Sequence, residues 1–153
     1  MVKKNKHYLV ILILFFFISN SIANENNDFL SLKNNEVNLR LGPSFKYPIK
    51  LIYYKKFLPV IISDKSETWR KIIDFENNSG WIHTSQLTKR KSAINIENNS
   101  VLYKKPTIYS KPIAKLETGR LVLIKKCKEK WCKIISGDYK GWIIKSALWG
   151  RID

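Results

Sequence analysis

The chain has 153 residues, 28 Lys plus Arg against 12 Asp plus Glu, and a formal net charge of +16. At about 100–200 residues per domain this allows one ordinary domain or two very small ones and excludes a large-sheet enzyme with a separate cofactor domain. A hydrophobic content of 44% with 12% aromatics is too high for a disordered chain, two histidines cannot build a multi-His metal site, and two cysteines cannot build a zinc ribbon.

Met1 to His7 carries Lys3, Lys4 and Lys6 and no acid, and Tyr8 to Ile18 is an unbroken apolar and aromatic run. Ser21 and Ala23 then place small residues at positions −3 and −1 of a cut after Ala23. This is the n-region, h-region and cleavage pattern of a secretory signal peptide. The apolar run falls short of the roughly 20 residues that span a bilayer; an uncleaved N-terminal anchor is the alternative. No cysteine lies near the cut, which excludes a lipoprotein. The expectation is a signal peptide over residues 1–23 and a mature protein, periplasmic or secreted, in a compartment where disulfides persist.

The remainder reads as one unit used twice. Trp69-Arg70-Lys71-Ile72-Ile73 recurs as Trp131-Cys132-Lys133-Ile134-Ile135, Gly80-Trp81-Ile82 as Gly141-Trp142-Ile143, and Ser85 and Leu87 as Ser146 and Leu148. Upstream, Val37 and Pro48-Ile49 pair with Val101 and Pro112-Ile113, an offset of 64. The boundaries expected are an Asn-rich leader over 24–33, a first unit over 34–96 and a second over 97–153. The stretch from Thr88 to Asn99, with its Lys89-Arg90-Lys91 run, joins them.

Each unit reads as all-β. Phe57 to Ile62 and Leu121 to Ile124 are short β-branched runs, and Trp69 to Phe75 and Trp131 to Ile135 are their expected hairpin partners. Trp81-Ile82 and Trp142-Ile143-Ile144 are third strands, each after a turn-forming stretch (77–80 and 137–141). The glycine before each tryptophan is expected to supply a positive φ for that turn. A unit near 60 residues is marginal and needs bulky side chains or a staple. Packing is therefore one reading of Trp69, Trp81, Trp131 and Trp142. Cys127 and Cys132 flank four residues, a spacing that suits a hairpin tip with the cysteines facing across it and points to a disulfide. A redox pair is the rival, but such pairs favour C-x-x-C at a helix start.

The ordered set of motifs resembles a known family. Val37-Asn38-Leu39-Arg40-Leu41-Gly42-Pro43-Ser44 is similar to the N-L-R-x-G-P-S opening of bacterial SH3-like (SH3b) domains. Trp69-Arg70-Lys71-Ile72 and Gly80-Trp81-Ile82 resemble the W-x-K-V and G-W-V strands that follow it. The second copy resembles a subgroup with a Cys-Trp-Cys hairpin (here Cys127, Trp131 and Cys132) and a closing Leu148-Trp149-Gly150. It departs from the pattern at Lys104-Lys105-Pro106-Thr107-Ile108, which replaces the R-x-G-P-S segment. The resemblance covers nearly all of the mature chain and implies two small SH3-like barrels in tandem, each partly open and five-stranded. It also implies a non-catalytic module that binds cell-wall (peptidoglycan) glycan or peptide through an aromatic face. The ligand-binding candidates are Arg40, Tyr47, Tyr53 and Trp81 in the first copy and Tyr103, Tyr109 and Trp142 in the second, with Tyr54 and Trp149 nearby. An envelope scaffold or adaptor that docks onto a protein partner is the alternative.

Catalysis finds no support in the residues, and no cofactor or metal is expected. A nucleophile needs a base within reach, and the mature chain has His83 alone, read as an isolated surface residue. Asp74 and Glu76 read as a solvated hairpin face. The charge is uneven, with 12 basic and 8 acidic side chains over 24–99 against 13 and 4 over 100–153. The basic residues are 23 Lys and 5 Arg, which favours diffuse attraction to anionic surfaces over bidentate phosphate recognition. Export argues against nucleic acid as the partner. A composition rich in Lys, Ile and Asn is the bland explanation of the charge.

Overall fold

The computed structural model describes residues 28–152, so the signal peptide expected over 1–23 lies outside the described residues. Among the described residues no helix is long and apolar enough to cross a membrane. The protein is all-β. The first sheet holds β1 (Phe29–Leu32), β2 (Val37–Arg40), β3 (Ile49–Tyr53), β4 (Pro59–Ser66), β5 (Trp69–Ile73), β6 (Ser79–His83) and β7 (Leu87–Thr88). The second holds β8 (Ser92–Asn95), β9 (Ser100–Tyr103), β10 (Pro112–Leu116), β11 (Leu121–Lys128), β12 (Trp131–Ser136), β13 (Tyr139–Ile144) and β14 (Leu148–Gly150). The two strand orders are identical: β3-β2-β6-β5-β4-β1-β7 and β10-β9-β13-β12-β11-β8-β14, antiparallel throughout. Each sheet surrounds its own core, led by Leu32, Val37, Leu39, Val60, Ile72 and Ile82 in one and by Leu102, Val122, Cys132, Ile134 and Ile143 in the other.

Seven strand segments per sheet exceed the five expected because β1 and β8, and the short β7 and β14 that pair with them, take part. β1 falls in the stretch read as a leader, yet it pairs with both β4 and β7. β8 falls in the stretch read as a connection and assigned to the first unit, yet all four of its residues are buried and it pairs with β11 and β14. The chain gains backbone ladders there that a loop would leave open.

The repeat register also differs upstream. Trp81 lies opposite Arg40 and Trp142 opposite Tyr103, so Arg40 and Tyr103 hold the same place at an offset of 63, not 64. A one-residue shift in a strand exchanges its faces. Val37 is a core residue whose counterpart is the buried Ser100, while Val101 turns outward in the place of Asn38.

The glycines before the tryptophans are strand residues of β6 and β13, not positive-φ turn residues. They are small because another strand is close: a Cβ on Gly80 would sit 2.7 Å from Leu39 Cγ, and one on Gly141 would sit 2.6 Å from the Tyr103 carbonyl oxygen. The positive φ of the two turns is carried by Asn77 (65°) and Gly137 (55°). Cys127 and Cys132 are register partners on β11 and β12, 4.0 Å apart at Cα, and form a disulfide. The same rung in the first copy is Lys65 opposite Arg70.

The two sheets meet through the outward faces of β1 and β8. Ser31 Oγ donates to the Arg90 carbonyl at 2.7 Å and lies 2.6 Å from Ser92 Oγ, which is left to donate to it. Ile94 belongs to the second sheet but is wholly buried in the first copy's core, with Leu121 packed beside it. Trp149 meets Phe29 edge-on at 5.0 Å and Phe75 at 6.4 Å. Asn95, at the place Leu32 takes in the first copy, is wholly buried, and its Nδ2 donates to the carbonyls of Glu97, Leu116 and Glu117.

Candidate functional site

Alternation along β2 turns Val37 and Leu39 inward and leaves Asn38 and Arg40, with Glu36 just ahead of them, on the outer side. Arg40 Nη1 donates to the backbone carbonyls of Phe45 at 3.2 Å and Tyr47 at 2.8 Å. One guanidinium therefore folds the loop 41–48 back toward β2 and lies 5.7 Å from the Phe45 ring centre. This places Phe45 edge-on to Trp69 at 4.9 Å and 5.4 Å from the His83 ring. Trp69 and His83 face one another across the β5–β6 pair with ring centres 5.2 Å apart. His83 Nδ1 accepts from the Ser85 backbone N–H at 3.3 Å and caps the 3-10 turn Thr84–Gln86. Gln86 Oε1 accepts from Asn34 Nδ2 at 2.8 Å.

The result is a cleft of about 70 Å³ lined by Glu36, Asn38, Arg40, Phe45, Trp69, His83 and Gln86. Its walls are aromatic and its floor is polar. Asn38 Oδ1 is buried and has no hydrogen-bond partner among the described residues, an acceptor that a bound N–H group could satisfy. Phe45 remains 69% exposed. Polar groups in a small aromatic setting fit a binding role that discriminates by hydrogen bonding. Among the described residues no three His, Cys, Asp or Glu side chains converge as a metal site would require.

The second copy does not repeat this arrangement. The places of Asn38, Arg40, His83 and Gln86 are taken by Val101, Tyr103, Ile144 and Ala147. Tyr103 packs edge-on against Trp131 at 5.7 Å, where the first copy has its Arg40-held loop. An apolar groove of about 500 Å³ runs instead past Val101, Tyr103, Ile108, Pro112 and Ile113.

Of the candidates read from the sequence, Arg40 belongs to the cleft, as a brace for its loop. Trp81, half-buried, lies opposite Arg40 on the neighbouring strand. Tyr47 is exposed, with its ring over Gly42. Tyr53 is not on a ligand face: it is buried in the core, and its hydroxyl donates to Asp74 Oδ2 at 2.9 Å. Burial and that bond to a carboxylate push the Tyr53 pKa well above its ordinary value of 10.0. Tyr103 and Trp142 are register partners, whereas Tyr109 is 92% exposed and lines neither the cleft nor the groove. Two further readings are corrected. Asp74 is not solvated: it is 2% exposed, and its Oδ1 accepts from the backbone N–H groups of Glu76 and Asn78. His83 is not isolated, being wedged between Phe45 and Trp69. Phe45, Trp69, His83, Glu36, Asn38 and Gln86 were not among the sequence candidates. The period-two alternation through 36, 38 and 40 was the available signal for the polar floor.

Among solved structures the chain is similar to NlpC2 from Trichomonas vaginalis at 17% identity, covering 79% of this chain and 47% of that one with a TM-score of 0.37. It is similar to NlpC1 from Trichomonas vaginalis at 16% identity, covering 78% of this chain and 44% of that one with a TM-score of 0.35. It is also similar to an NlpC/P60 family protein from Bacillus cereus at 12% identity, covering 79% of this chain and 55% of that one with a TM-score of 0.36. The chain thus spans about half the length of the structures it matches. A search of curated proteins finds no match. A family model described as bacterial SH3 domain matches residues 33–89 and again residues 97–150, which are the two sheets less all of β1 and all of β8. With the identical strand orders and the paired tryptophan strands, this places the chain in the bacterial SH3 domain family, with the domain present twice.

Proposed function

We propose that this protein is an exported, non-catalytic binding module and that its first copy takes a peptide segment of the cell wall in the cleft framed by Phe45, Trp69 and His83. The observation that carries this reading is the buried, unpartnered Asn38 Oδ1 in an aromatic cleft. A peptide presents what that cleft lacks: an amide N–H for Asn38 and apolar stems for the rings. The second copy has Val101 at that place and is not the reader of the same ligand.

Pull-down of the mature protein on purified sacculi tests the reading. Phe45 is mostly exposed, so Phe45→Ala keeps the fold and is expected to lower retention at least about tenfold, as loss of an aromatic anchor does. Asn38→Val, which copies the second repeat, is expected to do the same. Retention unchanged in both variants would overturn the proposal. Crosslinking in cells to a single envelope protein, with no sacculus binding, would favour the adaptor reading.

A further inference from the structure

The outer face of the second sheet carries a feature the first lacks. Lys126 on β11 lies directly opposite Lys133 on β12, Lys133 lies opposite Trp142 on β13, and Trp142 lies opposite Tyr103 on β9. The two ammonium groups sit 5.8 and 5.9 Å from the centre of the same indole ring. The same row in the first copy is Asp64, Lys71, Trp81 and Arg40, in which an acid faces a base. Like charges directly opposite one another across a strand pair are destabilising. The second copy therefore keeps at this rung a cost that the first copy avoids. Lys128 and Lys140 extend the same face, and no acid lies in the three rungs that hold these lysines. Among the described residues the one ion pair is Lys65 with Asp28, in the first copy.

We infer that this face is a docking surface for an acidic polysaccharide. The Trp142 indole, between Lys133 and Tyr103 in this row, offers an apolar surface against which the C–H face of a sugar ring can rest, and the two ammonium groups held over the ring meet acidic substituents of that sugar. Charge complementarity selects the partner's sign. The shape argues against a lipid surface. Trp142 is half-buried with two ammonium groups over its ring, whereas interfacial insertion needs apolar groups that reach about 5–10 Å into the headgroup boundary. The surface is independent of the cleft in the first copy.

Calorimetric titration of the mature chain with dextran sulfate, against uncharged dextran of the same length, is the test. Dextran sulfate is expected to bind with an affinity that falls steeply between about 50 and 200 mM salt, and uncharged dextran is not. The double variant K126Q/K133Q is expected to bind dextran sulfate at least about tenfold more weakly, with a Tm no lower than that of the unaltered protein because a like-charge pair is gone. K71Q, at the matching place in the first copy, is expected to bind as before. Equal binding by the double variant, an equal loss in K71Q, or binding to phosphatidylglycerol vesicles without binding to dextran sulfate would each overturn the inference.

Discussion

The Tyr53 hydroxyl donates to Asp74 Oδ2 at 2.9 Å, both residues buried, and this bond ties β3 to the turn that follows β5. Asp74 accepts three further donors there, the N–H groups of Glu76 and Asn78 and the Asn78 side-chain amide. Tyr53→Phe removes one of four bonds and is expected to cost about 1 kcal/mol. Asp74→Ala strands all four donors and is expected to cost about 2–3 kcal/mol, read by denaturant unfolding.

The same bond sets a dependence on alkaline pH. Burial first, and then the hydrogen bond to Asp74, raise the Tyr53 pKa above the 10.0 of a free tyrosine. The unfolded chain loses this proton before the folded one does, so the contribution is complete below pH 10 and is lost as the pH climbs above it. Chemical denaturation between pH 8 and 11 is expected to give a steeper loss of stability in the unaltered protein than in Tyr53→Phe. Parallel profiles would show that Tyr53 ionises freely.

Glycine substitutions separate close approach from backbone conformation. Gly80→Ala drives a Cβ against Leu39 and the Arg40 carbonyl and is expected to cost about 1–3 kcal/mol. Asn77→Gly, at a φ of 65°, relieves the turn and is expected to cost nothing or to stabilise slightly. Thermal melts of the two variants distinguish this arrangement from one in which Gly80 carries the turn.

The disulfide closes a short loop, so the chain-entropy model assigns it about 2 kcal/mol. The double variant C127S/C132S is expected to lower the Tm and to quicken exchange of amide protons in β11 and β12 before those in β4 and β5. Thiol titration of the purified protein is expected to find free thiols only after reduction.

Ile94 couples the copies. Its side chain lies in the first core while its backbone pairs in the second sheet. Ile94→Ala is expected to cost about 2–5 kcal/mol. The protein is expected to unfold in one calorimetric transition rather than two, and a chain ending at residue 89 is expected to be markedly less stable than the first copy in its intact setting.

The sequence made local pairing legible. The tryptophan strands repeat with their turns, and the spacing of Cys127 and Cys132 placed them on one rung. What could not be read locally was decided by distant partners. The four residues of β1 find their ladders in β4 and β7, far along the chain. Asp74 looked like one acid of a solvated pair because its four donors come from three separate residues, one of them on β3. The upstream register slipped because the loops after β2 and β9 share almost no residues to align. That slip hid the replacement of Asn38 by Val101 and with it the reason the cleft exists once. Trp69 read as core and is so, at 6% exposed, but its remaining edge is a wall of the cleft.

Tandem copies with the same strand order face a hazard in folding, since an equivalent strand can pair in the wrong copy. Asn95 distinguishes the two equivalent strands β1 and β8. Its Nδ2 donates to three carbonyls of the second copy itself, those of Glu97, Leu116 and Glu117. Entering the first sheet in place of β1, the strand would bring that amide to the site of Leu32, which packs among aliphatic side chains. A single buried asparagine thus makes β8 unlike β1 at a position where a misplaced polar group carries a cost.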